Sequence, residues 1–446
     1  MSANKQLNRE NNPPENQLAS PLPQAWDPSE GAEGAFKDVT GTDLGDGRFG
    51  LDNVQWGKTA AGIYLPIRVT NDGKQEVKVD DTTPVKFEQV GNNVQLSGII
   101  TELQRGKNDY STTPGGKTLM AGDSDAGFYG FIQPSEFGVI QGGAADSLNL
   151  NGENLRLHLG GMTGVTQFSE TPWMKFAFGG KIMFVPVKPF VRNITWNAIY
   201  NAGAVYGDSS VGILPPGGRA GAWLTIDNSD NSVNGSDFLN SDAPVVTEGG
   251  TLVIAGSNAD NNGEYTVTSI TATKITVDGT LSAETGNNNL RIWNKANEVS
   301  QNAQVSIGDL TYRIRLMRGA ANDPVDSYSD GDRGSIGNAN EWNRLVLPLH
   351  ARAKAGNWNY SAYAGEVDDW GVGLTDADLI THHTLGNGSY SWCQEARNDA
   401  ESYRRVLRGH IGASLLNASG SWNTNSNNGF RPVLDRKSFR LSRLRF

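Results

Sequence analysis

The sequence has one cysteine, Cys393, and no long hydrophobic run. A single thiol cannot form a disulfide within the chain, which excludes a disulfide-stapled secreted scaffold. No segment approaches the roughly 20 apolar residues of a membrane-spanning helix, and the first residues lack the apolar core of a signal peptide. We therefore expect a protein that folds in a cytoplasm and does not insert into a membrane.

Positively charged residues are also fewer than negatively charged ones. The 446 residues include 38 Lys and Arg against 48 Asp and Glu, which gives a formal net charge of -10. Surplus negative charge repels nucleic acid and keeps a protein soluble, so we expect no nucleic-acid partner. The one basic concentration is near the C-terminus, at Arg431, Arg436, Lys437, Arg440, Arg443 and Arg445. This basic segment is equally compatible with docking onto an acidic neighbouring protein and with a solvated tail.

Glycine and polar turn residues are abundant, with 54 glycines in the chain. Short apolar runs between such residues favour many short strands, and the length favours two or three domains. We predict a mainly β protein with an α+β C-terminal part. The predicted segments are an extended arm over 1–25, a β-rich anchoring domain over 26–165, an outer domain in two parts over 166–224 and 294–446, and a small inserted β domain over 225–293.

Local patterns predict individual elements. Residues 63–69, the turn at Asn71-Asp72-Gly73 and Val77 predict a β-hairpin. A short helix is predicted after Thr195, which can cap it, and before Gly203, which can end it. A second short helix is predicted from a buried stripe at Trp342, Leu345, Val346 and Leu349.

Five blocks in the second half carry a resemblance to a known family. They are Ile194-Thr195-Trp196, Tyr312-Arg313-Ile314-Arg315-Leu316, Glu341-Trp342-Asn343-Arg344-Leu345, Arg405-Val406-Leu407-Arg408-Gly409 and Gly429-Phe430-Arg431-Pro432-Val433-Leu434. Together they resemble phage virion proteins with a C-type-lectin-like, formylglycine-generating-enzyme-like domain. The likeness covers residues 173–446 without the predicted insert. It implies a core strand in which Phe430 is buried and Arg431 pairs or stacks.

The resemblance implies a bacteriophage tail, fibre or capsid-attached protein, assembled in the host cytoplasm and located in the virion. Its implied partners are other virion proteins, further copies of the chain, and a glycan or protein of the host surface. The outer domain is then a C-type-lectin-like domain. Formylglycine-generating enzymes use a pair of cysteines that bind copper, and Cys393 alone excludes that activity here. We expect no enzyme, and Cys393 as a small core residue.

Metal sites are not expected from the histidines. His382 and His383 are adjacent, and consecutive side chains diverge, so a polar loop is favoured over a shared ion. Calcium binding is left open, because the chain contains suitable oxygen ligands but no complete calcium-binding motif. Three loops contain oxygen ligands: the first two lack the bidentate glutamate of a calcium loop, so turns are favoured, and for the third a solvated surface loop is favoured over a cation site. They contain Asp230, Ser232, Asn234 and Gly235; Asn258, Asp260, Asn262 and Gly263; and Asp323, Asp326, Asp330 and Asp332.

Loops of the second half contain the candidate ligand-binding residues. Exposed aromatic side chains give rigid contact area and stack on sugars. The candidates are Trp358, Tyr360, Tyr363, Trp370 and Trp422. Three functions remain open: attachment to a host surface, a connector, collar or capsid-decoration protein that contacts only virion subunits, and, least favoured, a glycan-degrading enzyme using Glu366, Asp368 and Asp369.

Overall fold

The computed structural model of the chain describes residues 113–324, 340–351, 368–381, 388–397 and 399–436, and the backbone of the strands between residues 24 and 97. The chain divides into two compact units, residues 1–107 and 108–446. Residues 1–23 of the predicted arm lie outside the described part.

The first unit contains short antiparallel strands. They are β1 Gln24–Asp27, β2 Ala35–Asp38, β3 Gly41–Asp43, β4 Phe49–Leu51, β5 Val54–Lys58, β6 Tyr64–Val69, β7 Gln75–Lys78, β8 Pro84–Val90 and β9 Asn93–Ser97. Strands β5 to β9 form a five-stranded meander. Its β6–β7 pair, with Ile67 opposite Val77, is the hairpin predicted from the turn at Asn71-Asp72-Gly73.

The second unit contains the remaining strands. They are β10 Ala121–Gly122, β11 Ala126–Ile132, β12 Ile140–Gln141, β13 Val165–Thr166, β14 Trp173–Phe178, β15 Lys181–Pro186, β16 Val191–Arg192, β17 Arg219–Ala220, β18 Thr225–Asp227, β19 Ser232–Asn234, β20 Thr251–Ala255, β21 Gly263–Ile270, β22 Lys274–Val277, β23 Arg291–Asn294, β24 Gln304–Ile307, β25 Leu310–Leu316, β26 Tyr390–Ala396, β27 Arg404–Gly409, β28 Leu416–Gly420, β29 Asn428–Phe430 and β30 Pro432–Arg436. The mainly β fold is confirmed.

Helices of the second unit are short. The α-helices are α1 Gly152–His158, α2 Trp196–Asn201 and α3 Asp376–Ile380. Single turns of 3₁₀ helix span Pro134–Glu136, Gly143–Ala145, Lys295–Asn297 and Leu347–Leu349, and a π-helical turn spans Trp342–Val346.

An eight-stranded sheet in the order β10-β11-β14-β15-β30-β25-β24-β12 lies at the centre of the second unit. Successive side chains of a strand point to opposite faces. In β15, Ile182 and Phe184 therefore join one hydrophobic cluster, while Met183 and Val185 join another. The sheet is buried on both sides, which explains the unbroken apolar run in this strand. A six-stranded sheet has the order β13-β16-β29-β26-β27-β28.

The predicted N-terminal domain over 26–165 differs from the observed division. Strand β11 pairs with β14, with Phe128 opposite Phe176 and Ile132 opposite Trp173. Residues from 113 onward therefore belong to the same unit as the C-terminal strands. The local strand signals before and after residue 165 are alike, and only long-range pairing reveals which strands share a sheet.

A seven-stranded sheet, in the order β17-β23-β20-β21-β22-β19-β18, occupies the region of the predicted insert. It has its own aliphatic cluster, which includes Leu252, Ile254, Ile275 and Ile292. The chain returns to the eight-stranded sheet through β24 and β25. Strand β25 pairs with β30 from Tyr312 to Leu316.

The two predicted helical segments are present. The Thr195 hydroxyl accepts a hydrogen bond from the Ala198 amide at the start of α2, and Gly203 beyond its end has a φ of +71°. In the second segment Trp342 and Leu345 are buried as expected. Its backbone changes from π to 3₁₀ at Leu347–Leu349, because Pro348 has no amide hydrogen for a regular helical ladder.

The blocks that carry the family resemblance contact one another. Arg405 lies over the Trp196 ring, 4.3 Å from its centroid. Arg408 and Arg431 both lie over Trp342, at 5.7 and 5.0 Å. All of these side chains are almost completely buried. Stacked guanidinium groups thus form part of the core.

Candidate functional site

A groove of 630 Å³ lies where several loops meet beside the eight-stranded sheet. Its exposed lining is mainly apolar, with a few polar and charged side chains at the walls. The lining residues are Phe131 and Gln133 at the end of β11, Phe168, Glu170, Thr171 and Pro172 before β14, Val187 and Lys188 after β15, and Leu374 and Asp378 around the start of α3. The volume is in the range of pockets that hold small molecules.

Phe131 reaches the groove because β11 contains a bulge. The pairing of β11 with β14 shifts between Phe128 and Phe131, and Gly130 between them has a φ of +99°. A bulge reorients the side chain that follows it. Phe131 is 42% exposed, whereas its neighbours Gly130 and Ile132 are buried. Its ring packs edge-on against Phe128, with centroids 5.2 Å apart, which fixes its orientation.

Phe168 lies in a loop that is both strained and firmly held. Its φ of +45° is in the left-handed region, which is unfavourable for a bulky side chain. The preceding Gln167 is buried, and its side-chain amide donates to the Pro189 carbonyl at 3.1 Å and the Ser389 hydroxyl at 3.3 Å. Beyond Phe168, the Ser169 carbonyl accepts from the Gly152 amide at 2.9 Å. These contacts maintain a conformation that the chain would not adopt alone.

One cation lies over the Phe168 ring, and two carboxylates line the same groove. The Lys188 ammonium lies 5.0 Å from the ring centroid, a cation–π distance. On α3, the Asp378 carboxylate accepts from the Thr375 amide and hydroxyl, and these hydrogen bonds lower its pKa. Across the groove, the Glu170 carboxylate accepts from Asn151. Both carboxylates are thus oriented by neighbours, and the groove offers aromatic surface, oriented acceptors and one ammonium.

Three exposed apolar side chains lie just before β10 and in β11, and one of them, Phe131, also lines the groove. We call Leu119, Met120 and Phe131 the hairpin patch; their exposed fractions are 38%, 66% and 42%. The Met120 amide donates to the Phe128 carbonyl at 2.8 Å, which holds the segment to the sheet. A Cβ on Gly130 would lie 3.0 Å from the Met120 sulfur, so the methionine packs over this glycine. Clustered apolar side chains in an exposed position are typical of interaction surfaces.

The predicted aromatic residues have different environments. Trp370 is half-buried against the cluster that contains Phe176, with ring centroids 6.2 Å apart. Trp422 is half-buried too, and packs on Tyr403 with centroids 5.2 Å apart. Neither lines the groove. Trp358, Tyr360 and Tyr363 lie outside the described residues, so their assignment to a binding site stays a prediction.

Two of the candidate calcium loops use their oxygen atoms internally. Asp230 pairs with Lys274 at 2.5 Å and accepts from the Ser232 hydroxyl. The Asn262 side-chain carbonyl accepts from the Ser257 amide. Of the third loop only Asp323 is described. No group of three or more His, Cys, Asp or Glu side chains suited to a metal occurs within the described ranges.

The candidate catalytic carboxylates show no convergence among the described residues. Asp368 and Asp369 are both exposed, and Asp369 accepts from the Gly371 amide in a local turn. Glu366 lies outside the described part, as do His382 and His383. Cys393 is fully buried among Ala320, Val406 and Leu416, and burial raises the pKa of its thiol. It is a core residue, as predicted.

Two buried ionisable groups were not identified from the sequence. Burial lowers the pKa of Lys175 to about 7, and its ammonium donates to the Gly116 carbonyl at 2.8 Å. Burial raises the pKa of Glu395 to about 8, and the nearby Asp323 charge adds to this effect. Both oxygens of Glu395 lie 3.1 Å from the Gly319 amide.

Sequence reasoning missed the groove because its walls come from separate segments. One signal was available: Gly130 interrupts the apolar strand Phe128-Tyr129-Gly130-Phe131, and a glycine inside a strand often marks a bulge. No comparable signal marks Phe168, because its backbone conformation depends on contacts with distant residues such as Ser389.

No family model matches this sequence, and no curated protein or solved structure is significantly similar to it. Among the residues that the structure describes, none of the helices combines the length and hydropathy needed to cross a bilayer. The inference of function therefore depends on the geometry above and on the family resemblance of the sequence blocks.

Proposed function

We propose that this chain is a non-enzymatic structural protein of a bacteriophage particle, a tail or fibre component whose second unit attaches the particle to the bacterial surface. The groove beside Phe131 and Phe168 is the observation that carries this proposal. Two aromatic side chains line its walls, and one of them is held in a strained conformation by buried hydrogen bonds. Strain maintained by surrounding structure is characteristic of functional sites.

The core supports the same proposal. The blocks that resemble lectin-like virion proteins are joined by the stacking of Arg405 on Trp196 and of Arg408 and Arg431 on Trp342. A rigid core of this kind leaves the connecting loops available for recognition. The proposal covers three further properties. They are the location of the chain on the particle, its assembly into a homo-oligomer, and its contacts with other virion proteins.

Attachment is tested with labelled full-length protein and intact bacteria from a panel of candidate hosts. We expect saturable binding to a susceptible strain and protection of that strain from infection. Phe168→Gly should reduce binding at least tenfold, because it removes the ring while glycine tolerates the positive φ. Leu239→Ser is the matched control: Leu239 is 51% exposed, lies in the seven-stranded sheet region, and should leave binding unchanged. Absence of binding to every strain would refute attachment.

A connector that contacts only other virion subunits is the second candidate, and the hairpin patch favours it. Methionine and phenylalanine are enriched at protein interfaces, and Met120 is the most exposed of the patch residues. In a connector, Met120→Ser should prevent incorporation into particles while Phe168→Gly has no effect on infection. Quantifying the protein in purified particles from complemented mutant phage separates the two functions.

A further inference from the structure

The lining of the groove is the kind of surface that proteins use to bind one another. It is mainly apolar, and Phe131, Pro172, Val187 and Leu374 belong to it. Phe131 is 42% exposed, and Pro172 and Leu374 are half-buried. Apolar surface left open on a folded protein is typical of a contact with another polypeptide.

Carboxylates at the groove favour an occupant with positive charge. Glu170 is exposed, and hydrogen bonds at the start of α3 lower the pKa of Asp378, so that this group is charged at neutral pH. A third carboxylate, Glu136, accepts from the amide of the lining residue Gln133 at 2.5 Å. Lys188 supplies the one basic side chain of the lining. An occupant that combines apolar side chains with cations therefore matches both the surface and its charge.

The end of this chain has that composition. We call residues 437–446, which lie outside the described part, the tail; they contain four basic and no acidic residues. Two segments of the tail, Phe439-Arg440-Leu441 and Leu444-Arg445-Phe446, each place an arginine between two apolar residues. In an extended segment alternate side chains point to opposite sides. Such a segment can lay its apolar side chains on the groove lining and leave its arginines at the margin.

The tail starts at the end of the sheet opposite the groove. Strand β30 is antiparallel to β15, with Leu434 opposite Phe184 and Asp435 opposite Met183, whereas the groove lies beyond the other end of β15, at Val187. To enter the groove of its own copy, the tail would have to reverse direction past a sheet that is buried on both sides. Fully extended, the tail spans roughly 33 Å, which is enough to enter a neighbouring copy.

We propose that the tail of one copy binds in the groove of a second copy. The apolar side chains of the tail cover Phe131 and Leu374, and its arginines pair with Glu170 and Asp378. The inference rests on the proposed assembly into a homo-oligomer and assigns the surfaces that join the copies. Because the groove and the tail are different surfaces, their contact is reciprocal in a dimer or closes a ring.

A peptide assay tests the contact itself. A fluorescent peptide of residues 437–446 is titrated into the full-length tail-serine variant, whose own tail cannot compete. That variant carries Phe439→Ser, Leu441→Ser, Leu444→Ser and Phe446→Ser. We expect saturable binding, and binding weaker by about tenfold or more when the peptide carries the same four serines, although its charge is unchanged. Equal binding of both peptides would reduce the contact to charge attraction and overturn the proposal, as would no binding.

A charge reversal locates the peptide at the groove. Glu170→Lys, added to the tail-serine variant, should weaken peptide binding about tenfold or more, because it replaces attraction by repulsion. Glu248→Lys is the matched control: Glu248 is exposed in the region of the seven-stranded sheet, and the same change of charge there should leave binding unchanged. Thermal melting verifies that all variants are folded. Equal effects of both lysines would contradict a site at the groove.

Native mass spectrometry distinguishes a second copy from the same copy. The parent should form an oligomer that the tail-serine substitutions and Glu170→Lys each dissociate. An equal mixture of these two variants should associate again, since one retains the groove and the other the tail. An oligomer unaffected by either change, or a mixture that remains dissociated although the peptide binds, would overturn exchange between copies.

Cell binding separates this inference from the proposed attachment. If the tail-serine variant adheres to bacteria and excess parent peptide blocks adherence, both stand and share the groove. If the peptide binds in solution but neither the parent nor this variant adheres to any strain, tail exchange stands and attachment fails. If bacteria are bound and the peptide is not, attachment stands and the tail assignment is wrong.

Discussion

The seven-stranded sheet and the arginine-rich core of the same unit bury polar groups in opposite ways. In the former, the donors to Glu284 among the described residues are uncharged and include Ser257, Asn258 and Asn287, beside an aliphatic cluster. In the latter, Arg315 forms two bonds of 2.8 Å with Glu341. The first arrangement lies within the region of one sheet, and the second joins Arg315 of β25 both to Glu341 and to Asp435 of β30.

This difference has an energetic consequence. The aliphatic cluster is stabilised mainly by removal of apolar surface from water, which tolerates modest changes of shape. A buried ion pair is stable only as a pair, because removal of one member leaves an uncompensated charge. The arginine-rich core should therefore be the more sensitive of the two to single substitutions.

The largest effect is expected from Arg315→Met. Arg315 is buried and neutralises Glu341 and Asp435, so its loss leaves two buried carboxylates with less compensation. We expect a loss of about 3–5 kcal/mol in the free energy of unfolding, measured by urea denaturation. Arg313→Met is the control: Arg313 also pairs with Asp435 but its side chain is 30% exposed, and a loss of at most about 1 kcal/mol is expected. Equal effects of both substitutions would remove the proposed difference.

The second prediction concerns the aliphatic cluster. Ile275→Ala in the fully buried centre of this cluster should cost about 2–5 kcal/mol, since it removes apolar contacts and leaves a cavity. The half-buried Ile270 provides the control and should cost less when changed to alanine. Hydrogen exchange should show faster opening of strands β20 to β22, with β14 and β15 still protected. Uniform opening of both sheets would mean that the seven-stranded sheet has no stability of its own.

Per pH unit the smallest effects are expected from protonation, and the two buried groups should give slopes of stability against pH of opposite sign. The folded-state pKa of Glu395 is about 8, above its usual 4.5, so between these values the folded state binds more protons and stability falls as pH rises. The folded-state pKa of Lys175 is about 7, below its usual 10.5, so stability rises with pH between about 7 and 10.5. Each slope reaches at most about 1.4 kcal/mol per pH unit.

Matched variants separate the two slopes. Glu395→Gln should flatten the stability profile between pH 4.5 and about 8, and Lys175→Met should flatten it between about 7 and 10.5. Thermal denaturation across pH 5 to 10 measures both. If the stability of the parent protein does not fall as the pH rises from acidic to neutral, buried Glu395 is not protonated in that range.

Elements whose structure is determined by residues close in sequence were predictable from the sequence. The cap at Thr195, the glycine at 203 and the apolar spacing of α2 are local signals, and the structure confirms them. The stripe from Trp342 to Leu349 was located correctly, while its π and 3₁₀ geometry was not anticipated. Tertiary contacts decided that geometry together with Pro348.

Features that depend on long-range pairing were not predictable. The boundary at residue 165 differs from the structure because nothing local indicates that β11 pairs with β14. The groove draws Phe131, Phe168 and Asp378 from segments far apart in sequence. Aromatic residues in loops, such as Trp370 and Trp422, suggested exposure, yet both are half-buried because rings in loops also anchor those loops to the core.

The position of β30 within the eight-stranded sheet has a consequence for biosynthesis. This strand lies between β15 and β25, so that the middle of the sheet is completed only after Pro432–Arg436 leave the ribosome. The seven-stranded sheet, from Arg219 to Asn294, needs no later strand and can fold while translation continues. During that interval the apolar faces of β14 and β15 remain uncovered, and slow translation of the last third of the message would prolong their exposure to chaperones and proteases.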